Sequence, residues 1–184
     1  MPPRGPAGVR PARGELRVEA LGPHHDRNEF SCGVPALDAY LQRQAGQDQQ
    51  RKVAACHVVV NPAAPGFPGP VPILGYYTLS NYGLSVGELP AGVTRRLPKY
   101  PMVPAALLGR LAVASQSQGA GLGEFLLADA LRRTLRVAEE IAILAVVVDA
   151  IDSAAAAFYA RYGFKPFPGE QLRLFLPLAT IGRG

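Results

Sequence analysis

Tryptophan is absent from the 184 residues, and cysteine and methionine occur only twice each. Two cysteines, Cys32 and Cys56, are too few for a disulfide framework and lack metal-ligand spacing. The three histidines, His24, His25 and His57, form no zinc motif either. These shortages point to a reduced, cytoplasmic, metal-free protein. Cys32 reads as a small buried residue in a turn, not as a nucleophile. No apolar run reaches the roughly eighteen residues of a membrane-crossing helix. The stretch Met1–Gly14 is rich in Pro, Gly and Arg but has no apolar core segment, which argues against a secretory signal. It reads as a disordered basic arm. Acidic residues are the scarcer charge, 14 against 19 basic ones, and the net charge of +5 permits an anionic partner.

What is present suits one domain over residues 15–184: 48% of the residues are hydrophobic, enough for a sizeable core. Glu15–Leu21 alternates as a first strand. Pro35 can open a helix on which Leu37, Leu41 and Ala45 share a face. Ala54–Val60 and Ile73–Leu79 read as strands two and three, joined by a Pro/Gly-dense hairpin connection over 61–72. From Gly83 to Pro101 the pattern is irregular. A strand over Ala105–Val113 leads through a glycine-rich turn into a helix over Glu124–Glu140, with Leu127, Leu131, Leu135 and Ala138 as its apolar stripe. Ile141–Val148 reads as a central strand covered on both faces. Asp152 or Ser153 can cap the next helix and Gly163 can end it. Gln171–Leu178 alternates as a last strand. Strands and helices in this order give a mixed α/β sheet.

The glycine-rich turn carries chemistry. In Gln116-Ser117-Gln118-Gly119-Ala120-Gly121-Leu122-Gly123 a strand passes into a helix N-terminus, where unsatisfied N–H groups and the macrodipole favour phosphate. Glycine lets the backbone approach a pyrophosphate closely. No Gly-Lys-Ser/Thr follows, which excludes a P-loop, and Glu124 stands where a dinucleotide fingerprint needs its third glycine. A tight turn with no ligand is the bland alternative. The run resembles the Gln/Arg-x-x-Gly-x-Gly/Ala pyrophosphate loop of the GNAT acetyltransferases, matched by Gln116, Gly119 and Gly121. Downstream, Phe158-Tyr159 and Gly163-Phe164 resemble that family's Phe-Tyr-x-x-x-Gly-Phe segment. The opening Phe30-Ser31-Cys32-Gly33, with Leu37, Asp38 and Leu41, resembles the acetyltransferase toxins of toxin–antitoxin modules, the TacT/AtaT-like group. Gly75-Tyr76-Tyr77-Thr78-Leu79 and Leu108-Gly109-Arg110-Leu111-Ala112-Val113 agree. These blocks span about residues 28–178.

The resemblance implies a GNAT fold: a mixed, mostly antiparallel sheet with a parallel splayed strand pair, flanked by helices. It implies acetyl transfer from acetyl-CoA to a primary amine. Leu111, Ala112 and Val113 would bond the pantetheine arm, across strands that splay near Val113 and Ile141. Gln116 and the N–H groups of Gln118, Gly119, Ala120, Gly121, Leu122 and Gly123 would hold the pyrophosphate. Tyr159 would sit beside the CoA sulfur as general acid, with Tyr162 as second choice. A phenol, of pKa about 10, stays protonated at neutral pH and can protonate a leaving thiolate.

Met102–Val113 holds no carboxylate, where many lysine-directed relatives carry a glutamate; Arg110 stands there instead. A lysine amine, of pKa about 10.4, needs a base, whereas an α-amine near 7.7–8.0 is often already neutral. That favours the α-amino group of aminoacyl-tRNA, although Glu88, Asp149 or a water chain could serve as base. Arg95, Arg96, Lys99 and Arg110 are candidate substrate contacts. The resemblance further implies charged tRNA, a ribbon-helix-helix antitoxin and a homodimer as partners, and neither metal nor membrane. The competing readings are a housekeeping acetyltransferase for small amines, peptides or antibiotics, and a non-catalytic acetyl-CoA-binding module.

Overall fold

In the computed structural model, residues 16–63 and 70–181 are described. The basic arm expected over 1–14 and residues 64–69 of the expected 61–72 connection lie outside them. The chain runs through β1 (Arg17–Ala20), β2 (His25–Asp26), α1 (Pro35–Arg43), α2 (Ala45–Gln50), β3 (Ala55–Val60), β4 (Val71–Pro72), β5 (Gly75–Ser85), α3 (Ala91–Thr94), β6 (Met102–Val113), α4 (Leu122–Ala138), β7 (Ala145–Asp149), α5 (Ser153–Arg161), β8 (Lys165–Phe167) and β9 (Glu170–Pro177). Seven strands form one mixed sheet in the order β1-β3-β5-β6-β7-β9-β8, while β2 and β4 pair in a small parallel sheet of their own.

Antiparallel pairing joins β1 to β3, β7 to β9 and β8 to β9. The parallel pair is β6 with β7, in register from Ala105↔Ala145 to Leu108↔Val148. Strand β6 then runs on through Gly109–Val113, whereas β7 ends at Asp149. That is the splayed pair which the resemblance implies.

The described residues divide into two compact units. One comprises the stretches up to Tyr77 and Arg110–Asp129; the other comprises Thr78–Gly109 and the chain from Ala130 on. The first buries Phe30, Tyr40, Leu41, Cys56, Val58 and Tyr76 in one cluster, with Ala112 and Ala114 from β6 and its exit. The second buries Leu84, Leu89, Val103, Ala105, Val147, Phe167 and Phe175.

Local signals explain most boundaries. Pro35 stands in the first turn of α1, where its missing N–H costs nothing. The Asp152 carboxylate accepts from the Ala155 N–H at 2.7 Å and caps α5. Gly163, at φ +90°, turns the chain out of that helix. Other expectations need correction. Strand β7 starts at Ala145, not Ile141, because pairing with Ala105–Leu108 sets its register; Ile141 is 54% exposed. Strand β5 continues to Ser85, into the stretch read as irregular. The buried stripe of α4 is Leu122, Leu126, Leu127, Ala130 and Thr134, one position from the expected one. Thr134 is tolerated there because its hydroxyl donates to the Ala130 carbonyl at 2.9 Å.

Candidate active site

The glycine-rich turn leaves β6, passes through a single 3₁₀ turn over Ser115–Ser117, and enters α4 at Leu122. Gly119 and Gly121 adopt φ +75° and +82°, the left-handed region that other residues resist. A Cβ built at Gly119 meets nothing within 4 Å, so the space before the loop is open. The first bond of the helix runs from the Phe125 N–H to the Gly121 carbonyl at 3.1 Å. The N–H groups just before it therefore have no intrahelical acceptor. An open, glycine-backed helix start fits a pyrophosphate. Bound acetyl-CoA supplies the thioester; Gln118–Gly123 would hold its phosphates, and Leu111–Val113 on the free stretch of β6 would hold its arm.

The loop is fixed by a turn that lies far off in sequence. The Gln118 side-chain amide donates to the Cys32 carbonyl at 2.9 Å and to the Val113 carbonyl at 3.0 Å. The Ser115 N–H donates to the Ser31 carbonyl at 2.9 Å. The Ser31–Gly33 turn is held in turn by Asp38, whose carboxylate accepts from the Cys32 N–H at 2.8 Å and the Ser31 hydroxyl at 3.2 Å. Gly33 supplies φ +88°. The toxin-like opening motif thus braces the glycine-rich loop. Sequence reasoning quoted both segments but missed that Asp38 and the Gln118 side chain join them. Gln116 is exposed within the 3₁₀ turn.

Cys32 and Cys56 are both buried, and burial pushes their thiols up to about 11 and about 12 respectively. Neither supplies a thiolate at neutral pH. Glu19, His24 and His25 bring their ligand atoms within 4.8 Å of one another, a grouping that sequence spacing did not reveal. Its hydrogen bonds are those of a latch. His25 Nδ1 accepts from the Gly22 N–H at 2.9 Å, so Nε2 carries the proton and donates to Glu19 at 2.9 Å. A metal would need that Nε2 lone pair.

In the other unit, Tyr159 lies on α5, 7% exposed, with its ring against Phe158 and Phe164. Burial pushes its hydroxyl up to about 12. The other buried tyrosines have committed hydroxyls: Tyr40 donates to Asp48, Tyr76 to the Leu37 carbonyl and Tyr77 to Asp129. Among the described residues the Tyr159 hydroxyl has no such partner, so it is a protonated donor free to meet a ligand. Tyr162 is half-buried just past the end of α5.

The two acidic residues named as possible bases converge on Arg173 of β9. Its guanidinium lies 3.4 Å from Glu88 Oε1 and 3.6 Å from Asp149 Oδ1, and it also bonds the Tyr82 hydroxyl. No sequence motif marked Arg173. Arg95, Arg96 and Lys99 are exposed together after α3. Arg110, in the first unit, lies face-on over the Tyr40 ring, 3.4 Å from its centroid.

Comparison with known proteins identifies the family and the fold. Residues 82–166 match the acetyltransferase (GNAT) domain family. The chain is 34% identical over 151 residues to a tRNA-acetylating toxin of Mycobacterium tuberculosis, covering 82% of this chain and 85% of that one. It is 31% identical over 172 residues to a Sinorhizobium fredii protein named "Probable toxin TacT", covering 89% and 92%. Among solved structures, a tyrosine-to-phenylalanine variant of KacT superposes with TM-score 0.83 at 29% identity, covering 91% and 97%. AtaT complexed with acetyl-methionyl-tRNAfMet gives 0.81 at 28%, covering 90% and 96%. An AtaT variant bound to acetyl-CoA and the C-terminus of the antitoxin AtaR gives 0.74 at 26%, covering 91% and 96%. The chain belongs to the GNAT acetyltransferases, alongside TacT, KacT and AtaT, and is an acetyl-CoA-dependent N-acetyltransferase.

Proposed function

We propose that the protein acetylates the α-amino group of aminoacyl-tRNA and so blocks translation. One observation carries the choice of acceptor: among the described residues, neither β6 nor the two candidate bases offer an uncommitted carboxylate to deprotonate a lysine. Strand β6 has none, and Glu88 and Asp149 are both turned onto Arg173. An acceptor that is neutral without help is an α-amine, whose pKa of about 7.7–8.0 falls further beside an ester. The relatives named for tRNA support the same acceptor.

Residues 15–184 act in this reading as one acetyltransferase domain. The N–H groups of Gln118–Gly123 hold the pyrophosphate, and the β6 backbone over Leu111–Val113 orients the arm. Attack of the neutral amine on the thioester carbon forms the C–N bond and breaks the C–S bond. The Tyr159 hydroxyl donates a proton to the departing CoA thiolate, and the proton that the amine nitrogen sheds passes to water, from which the phenolate is reprotonated. Arg95, Arg96 and Lys99 offer an exposed cationic face to RNA. The protein works where charged tRNA is found, in the cytoplasm. Its further partners are a second copy of itself and a ribbon-helix-helix antitoxin, the latter supported by the AtaT–AtaR complex.

The test uses labelled acetyl-CoA with charged tRNA, lysine peptides and polyamines side by side. Label is expected on charged tRNA. Tyr159→Phe is expected to lower kcat about 10²–10⁴-fold with acetyl-CoA affinity kept. Label on peptides or polyamines alone would discard the tRNA reading, and full activity in Tyr159→Phe would discard the acid.

A further inference from the structure

Arg110 is a half-buried cation with no ion-pair partner among the described residues. Its Cζ lies 3.4 Å from the Tyr40 ring centroid, the thickness of two stacked π systems, so only a parallel approach fits. The stack uses one face of the guanidinium and leaves its in-plane N–H groups pointing past the ring. Among the described residues, none of these donors has a hydrogen-bond or ion-pair partner. Asp48, the acidic residue that also faces Tyr40, accepts from the Tyr40 hydroxyl at 2.9 Å. Tyr40 also stacks on Tyr76, whose hydroxyl donates to the Leu37 carbonyl at 2.8 Å. The platform beneath the guanidinium is therefore pinned at both hydroxyls.

A partly desolvated charge with unpaired donors is costly unless a ligand completes it. A planar fork held in one orientation suits a phosphodiester, which it can grip with two parallel bonds. Arg110 also sits on the stretch of β6 that continues past the pairing with β7, among the residues implied to bind cofactor. We propose that Arg110, presented by Tyr40, is a specificity-determining contact to a backbone phosphate of the acceptor RNA. This rests on the aminoacyl-tRNA reading and deepens it: the arginine that replaces a base carboxylate selects an acceptor carrying a phosphate.

The test compares two acceptors with the same aminoacyl ester, intact charged tRNA and an aminoacyl-adenosine that has no phosphodiester. Arg110→Gln is expected to raise KM for charged tRNA tenfold or more with kcat nearly unchanged. It should leave kcat/KM for aminoacyl-adenosine as in the parent and reduce the salt dependence of tRNA binding by about one counterion. Arg110→Lys should restore the salt dependence but not the whole KM, because an ammonium has no fork. Melting temperature and acetyl-CoA affinity, measured on each variant, should match the parent. Equal losses on both acceptors would overturn the proposal, as would an unchanged KM for tRNA. Weakened acetyl-CoA binding would assign the contact to a cofactor phosphate and overturn it too. If the parent acetylates neither ester, the aminoacyl-tRNA reading itself fails and this contact falls with it.

Discussion

His25 has a side chain with 0% exposure and both ring nitrogens engaged, one by Gly22 and one by Glu19. Protonating Nδ1 would set a donor against the Gly22 N–H, and burial already holds the imidazole below its usual range. The folded state thus binds fewer protons than the unfolded one as pH falls past 6.5, and stability drops with it. Glu19 is held below its ordinary value, first by the hydrogen bond from His24 and also by His25. Its contribution is present above about 4.5 and is lost as pH falls through the lower folded value. Melting followed from pH 7 to pH 4 should therefore show a decline that begins below 6.5 and steepens below 4.5. In His25→Asn, which keeps an acceptor for Gly22 but cannot titrate, the first decline should vanish. A variant that tracks the parent between pH 6.5 and 5 would show that the latch does not govern acid stability.

Among the elements, β5 depends on a glycine for packing. A Cβ at Gly75 would stand 2.8 Å from the Ala112 carbonyl oxygen and 2.9 Å from Leu126 Cδ1. The oxygen belongs to the β6 backbone and cannot swing aside. Gly75→Ala should cost about 1–3 kcal/mol, read from denaturant unfolding, with KM for acetyl-CoA raised because the same stretch of β6 leads into the glycine-rich loop proposed to hold the cofactor. Signals that act locally in the chain were the legible ones. Pro35, Asp152 and Gly163 each act within a turn of their own position, so a sequence reader can find the helix ends. Strands β2 and β4 were illegible, because two residues carry no periodicity and their pairing joins His25 to Val71. The start of β7 was misread at Ile141 because an apolar run does not say where pairing begins. Within the candidate site, Tyr159 and the glycine loop stand in contiguous motifs that a sequence displays directly. The anchoring of the loop by Cys32, the Arg110–Tyr40 stack and the Arg173 hub were not, since each joins residues that no spacing rule connects.

For the molecule as a whole, the excess of five positive charges is partly local. Arg95, Arg96 and Lys99 are all exposed and close in sequence. Contacts to single-stranded or flexible RNA release about 0.7 counterion per phosphate. Replacing all three by glutamine should therefore lower the salt slope of tRNA binding by about two and raise KM for charged tRNA. Turnover of aminoacyl-adenosine should be unaffected. An unchanged slope would place the RNA elsewhere on the surface. The bond from Gln118 to Cys32 spans 86 residues of chain, and long loops are slow to close. During synthesis, the segment carrying the Ser31–Gly33 turn leaves the ribosome long before its anchor exists. A nascent chain that ends short of residue 118 lacks the bond that braces its glycine-rich loop, so the loop stays unsecured until most of the polypeptide has been made.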